Sequence, residues 1–184
     1  MILPIYAYGY SVLKQVAKDI DKDYPELDKL VENMWETMYN AHGIGLAAPQ
    51  VGLSIRLFLV DTVQSMEEDE KDKGIKKVFI NAEILEEGGD DFSYEEGCLS
   101  IPGIRADVYR PEQVRIKYLD ENFVEHTEVY DGINARVIQH EYDHIDGILF
   151  TDLVGPLKKR RLKKKLEDVK AGKLRGDYKM KYVK

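Results

Sequence analysis

The hydrophobic period changes twice along this chain, and that change limits its fold more than any other feature. Leu27, Leu30, Val31, Met34, Trp35, Met38 and Tyr39 recur at i, i+3, i+4, i+7, i+8, i+11 and i+12. This single apolar stripe predicts a helix over residues 24–41. Asp23 is expected as its N-cap, Pro25 in its first turn and Gly43 just beyond its end. A shorter helix is expected over 11–18. The pattern then turns to short segments rich in β-formers, partly alternating, and 56–61, 77–81, 104–110, 113–119 and 123–129 read as strands. Asp120-Glu121-Asn122 reads as a hairpin turn, and 62–76, around Glu67-Glu68-Asp69-Glu70, as an acidic surface loop. Helical spacing returns over 132–149, through Ile133, Val137, Ile138 and Ile145, and again over 156–170. Helices flanking a run of antiparallel strands give an α+β fold.

With 184 residues, 43% of them hydrophobic, the chain is expected to form one domain over 1–184 with a core of its own. Its apolar and aromatic content excludes general disorder. No run of ~20 apolar residues is present, so no membrane span is expected, and the opening Met1-Ile-Leu-Pro-Ile-Tyr lacks the basic start of a signal peptide. The single cysteine, Cys98, excludes an intrachain disulfide framework and points to a reducing, cytoplasmic setting. The net charge of -7 divides sharply: residues 157–184 hold 13 Lys/Arg against 3 Asp/Glu, while the rest carries a net of -17. Such a basic C-terminal tail fits an anionic partner, RNA or a membrane surface, or a solvated helix that offsets the acidic body.

The strongest chemical signal is His140-Glu141-Tyr142-Asp143-His144. Four residues of helix return a side chain to nearly the same face, so both imidazoles can reach one metal and the glutamate a coordinated water. Two unpaired histidines and a glutamate on an otherwise apolar face would be costly without such a role. A catalytic metal needs a third ligand. The longer HExxHxxGxxH pattern fails because position 150 is Phe, and Glu167 lies in a strongly basic helix. His42 and His126 are assigned to a helix end and a polar hairpin. Cys98 remains, within Glu95-Glu96-Gly97-Cys98-Leu99-Ser100-Ile101-Pro102, which reads as a strand exit. A Cys/His/His set has the right count for a metal with one open position. A third segment, Gly43-Ile44-Gly45-Leu46-Ala47-Ala48-Pro49-Gln50-Val51-Gly52, has small residues that let backbone approach a ligand closely.

Together, GIGLAAPQVG, EGCLSIP and QHEYDHIDG resemble the three signature motifs of the peptide deformylases, over about residues 9–165. The chain departs from the family at Tyr10-Ser11-Val12-Leu13, and the acidic loop and the segment after 171 are least covered. The resemblance implies antiparallel sheets packed around a central HExxH-bearing helix, with N- and C-terminal helices. It implies removal of the formyl group from the N-terminal formyl-methionine of nascent polypeptides. Carried over residue by residue, it makes Cys98, His140 and His144 metal ligands, Glu141 the acid/base, and Gln50 and the Leu99 N–H oxyanion donors. It also implies a divalent metal, ferrous iron in vivo, with zinc, nickel or cobalt able to substitute. Nearness to the motifs makes Ile44, Gly45, Arg105, Ile133 and Val137 the substrate-binding candidates. The basic tail is expected to dock on ribosomal RNA and to stand outside the catalytic centre. The alternative is an HExxH zinc metalloendopeptidase, which would not need Cys98.

Overall fold

The computed structural model describes residues 1–183. Five strands form one antiparallel sheet in chain order: β2 (Gly45–Ala47), β3 (Leu57–Asp61), β4 (Lys76–Cys98), β5 (Ile101–Leu119) and β6 (Glu125–Asp131). A second, parallel pair joins the chain ends, β1 (Ile5–Tyr6) with β7 (Met180–Lys181). Three helices complete the fold: α1 (Leu27–Asn40), α2 (Gly132–Ile145) and α3 (Pro156–Lys170).

Every residue of β3 is buried, because the sheet is covered on both faces here. Leu57 and Leu59 pack with Leu27, Val31, Met34 and Met38 of α1. Phe58 and Val60 point the other way and pack with Ala135, Val137 and Ile138 of α2. The motif-bearing helix α2 thus lies centrally, against β2, β3, β5 and β6. A third cluster joins Ile104, Ala106 and Val108 of β5 to Leu162, Leu166 and Val169 of α3.

Several elements differ from their sequence-based bounds. Helix α1 begins at Leu27, not 24, because Glu26 takes a left-handed conformation (φ 52°) and the residue before a proline resists the helical region. Asp23 caps nothing; its N–H bonds the Asp21 side chain at 2.9 Å. The expected helix 11–18 is a single 3-10 turn, Ser11–Lys14, and the acidic loop contains two such turns, Val63–Ser65 and Glu68–Lys73. Helix α2 ends at Ile145, earlier than 149, because Gly147 follows with φ 73°. A Cβ there would lie 2.7 Å from the Lys14 backbone. The strands expected over 104–110 and 113–119 are one strand. Pro111 interrupts no pairing because it sits opposite Asp91, beside a register shift between Gly88 and Asp91.

Candidate metal centre

Cys98 is the last residue of β4. Leu99-Ser100 makes the tight turn, and Ile101, paired with Cys98, opens β5. Helix α2 carries His140 and His144 to the same place. One ligand atom from each of Cys98, His140 and His144 lies within 4.8 Å of the others, and Cys98 Sγ is 3.4 Å from His144 Nε2. The donor chemistry fits a divalent transition metal: a soft thiolate and two imidazoles, with a fourth position left for water or substrate. Burial holds His144 well below the usual histidine range, so its ring is neutral, the form a metal binds. Burial alone would also lower His140, but contacts with Cys98 and Glu96 outweigh it and raise His140 well above that range. The same negative groups favour a cation in place of that proton.

Behind His140 lies a buried charge cluster. His140 Nδ1 donates to Glu96 Oε1 at 2.9 Å, which fixes the tautomer and turns Nε2 towards the ligand set. Arg110 grips Glu96 with two hydrogen bonds, of 2.7 and 3.0 Å, and Arg136 adds a third of 2.8 Å. Arg110 also donates to Asp143 at 2.8 Å. Burial would push the Glu96 carboxyl up, but the bonds from His140 and Arg110 and the Arg110 charge hold it well below the usual carboxylate range. The sequence reading missed Arg110, Arg136 and Asp143, and treated Glu96 only as a neighbour of Cys98. One signal was available: Arg136 is a charge on the apolar face of α2, four residues before His140.

Glu141 is 4% exposed and its Oε2 has no hydrogen-bond partner. Burial pushes its pKa up to about 7, where a carboxyl can both take and give a proton. Gly45 is packed so closely on this carboxylate that a Cβ would lie 2.4 Å from Glu141 Oε1. Gln50, 1% exposed, accepts the Ala47 N–H on its amide oxygen at 2.9 Å. Its Nε2 therefore points at Ser100 Oγ (3.3 Å) and Cys98 Sγ (3.5 Å).

A cavity of about 720 Å³ opens onto these groups. Gln50, Leu99 and Glu141 line it, as do Ile44, Gly45, Arg105, Ile133 and Val137. Arg105 also pairs with Glu95 at 3.0 Å. His42 is on the cavity wall and His126 pairs with Asp120, so neither belongs to the ligand set. The expectation that the tail stands outside the centre is corrected. Arg175, Gly176, Asp177 and Tyr178 line the same cavity, because β7 must return to β1 and carries the chain past the site. Within α3, Leu162, Leu166 and Val169 rest on the body, while Leu157 is 63% exposed.

The family model described as polypeptide deformylase matches residues 2–160. The peptide deformylase of Christiangramia forsetii is 55% identical over 189 residues, 99% of this chain and 96% of that protein. Among solved structures, a peptide deformylase from Legionella pneumophila is 36% identical, with a TM-score of 0.82 over 95% of this chain and 99% of that one. A peptide deformylase from Synechococcus elongatus, in complex with actinonin, is 39% identical with a TM-score of 0.77, over 98% and 92%. Matched in sequence and in fold along nearly its whole length, the chain belongs to the polypeptide deformylase family.

Proposed function

We propose that this chain is a metal-dependent hydrolase that removes the formyl group from the N-terminal formyl-methionine of newly made polypeptides, releasing formate and a free amine. The observation that carries the reading is the three-donor set of Cys98, His140 and His144 beside an uncommitted Glu141 carboxylate oxygen, in a cavity. A divalent ion held by the three donors would bring water near neutral ionisation and polarise a carbonyl oxygen. Ferrous iron is the ion proposed, with zinc, nickel or cobalt able to replace it.

The protein groups then divide the work. Glu141 takes the proton of the attacking water and later delivers it to the departing amine. Gln50 Nε2 and the Leu99 N–H donate to the carbonyl oxygen as negative charge develops on it. No protein acceptor takes the Leu99 N–H among the described residues, so it is available. Ile44, Ile133 and Val137 offer apolar surface for the methionine side chain, and the Gly45 backbone allows close approach of the formyl end. Arg105, exposed at the rim, is suited to the peptide beyond.

Release of formate from formyl-Met peptides, measured beside cleavage of unformylated peptides, tests the proposal. Formate with no internal cleavage is expected; internal cleavage would instead favour the metalloendopeptidase, which the family match does not. Metal analysis after anaerobic purification tests the iron assignment.

We assign the reaction to the cytoplasm, where nascent chains emerge. No described helix is long and apolar enough to cross a membrane. Docking on ribosomal RNA is assigned to α3. Leu162, Leu166 and Val169 are buried while Lys158, Lys159, Arg160, Arg161, Lys163, Lys164 and Lys165 all face solvent.

A further inference from the structure

The Leu99–Ser100 turn is held from outside the sheet by both ends of the chain. Tyr178 donates its hydroxyl to the Leu99 carbonyl at 2.7 Å, and the Tyr8 N–H donates to the Ser100 carbonyl at 2.8 Å. Tyr8 follows β1 and Tyr178 precedes β7, and these two strands are paired, Ile5 with Met180 and Tyr6 with Lys181. Two further contacts fasten the returning segment. Tyr10 donates to the Tyr182 carbonyl at 2.9 Å, and Leu174 packs over Gly103, 3.0 Å from where a Cβ would stand. Burial and the nearby Cys98 push the Tyr178 hydroxyl well above the usual tyrosine range, so it stays protonated and donates.

A two-residue turn has few internal bonds to fix its peptide planes, and an oxyanion donor works only when its direction is set beforehand. Anchoring the Leu99 carbonyl restricts the rotation of Leu99 and with it the direction of its own N–H. The family model stops at residue 160, so Tyr178 lies beyond the part of the chain that it matches. We infer that Tyr178 is a positioning residue for deformylation: through its bond to the Leu99 carbonyl, the C-terminal segment orients the Leu99 N–H towards the substrate oxygen. This rests on the deformylase reading above and on the role given there to Leu99.

The test is Tyr178→Phe, which keeps the ring and removes only the hydroxyl. One net hydrogen bond of orientation predicts a kcat about 3–10-fold lower, with KM, metal content and melting temperature close to wild type. In ¹H–¹⁵N spectra, the Leu99 amide should shift and show broader, more mobile backbone behaviour, a change that needs no activity. Unchanged kcat with an unmoved Leu99 amide overturns the inference, and a pure rise in KM makes Tyr178 a wall of the cavity only. Wild-type protein with no formate release sinks the deformylase reading itself, whereas active wild type with an equally active variant sinks only the role of Tyr178.

Discussion

Glu141 shows most directly how burial and chemistry pull against each other at one residue. A carboxylate this buried with an unpartnered oxygen is destabilising on its own, and its retention makes sense if that oxygen moves protons. Glu141→Gln should therefore keep its metal, measured on the purified variant, while kcat falls about 10²–10⁴-fold. Metal loss would recast the residue as a ligand. Gln50→Ala should lower kcat about 10²–10³-fold with little change in KM. Such a split would separate an oxyanion donor from a residue that merely holds substrate. Cys98, His140, Glu141 and His144 were legible in the sequence as candidate site residues because helix geometry fixes i and i+4 on one face, and because only one cysteine existed to complete the set. Glu96, Arg110 and Asp143 were not, since nothing local brings residues so far apart in sequence into contact. Only the β4–β5 register, with Glu96 opposite Ala106 and Phe92 opposite Arg110, seats them against α2.

At the scale of elements, that register makes a rigid unit of a long hairpin and a helix. The bounds of α3 agree with the helical spacing read over 156–170, but the length of the β4–β5 hairpin was not readable. Pro111 and Gly88-Gly89 are strand breakers in isolation, and only a shifted register makes them tolerable within one ladder. Glu96 joins the hairpin to α2 by accepting from Arg110, Arg136 and His140. Its replacement by Gln would leave buried guanidinium charge short of a counter-charge. Glu96→Gln should cost about 3–5 kcal/mol in urea unfolding and weaken metal binding about 10–100-fold through the unsupported His140 ring. The pH dependence has a definite sign. Because the native carboxyl titrates below its unfolded value, its contribution is complete above about pH 4.3 and is lost as pH falls through the native value. The variant should lose that part of the acid sensitivity, and an identical acid profile would place the stabilising charge elsewhere.

Over the whole molecule, charge is divided by position more than by amount. An acidic body carries a helix whose outer faces are almost wholly cationic, and only Lys164 of its seven clustered cations pairs with a carboxylate, Asp168, among the described residues. Removing α3 cannot test what those charges do, because Leu162, Leu166 and Val169 complete a core cluster and the chain beyond lines the cavity. Charge reversal at exposed positions leaves both intact. Lys158→Glu, Arg161→Glu and Lys165→Glu together should preserve release of formate from a short formyl-peptide in solution. If α3 rests on ribosomal RNA, the wild type should co-sediment with ribosomes and lose that association steeply as salt rises. Three lost phosphate contacts should lower the logarithmic salt slope by about 2–3, and binding of the variant should be weaker at every salt concentration. Equal co-sedimentation of the two forms at low salt would leave α3 as a solvated helix whose charge offsets the acidic body.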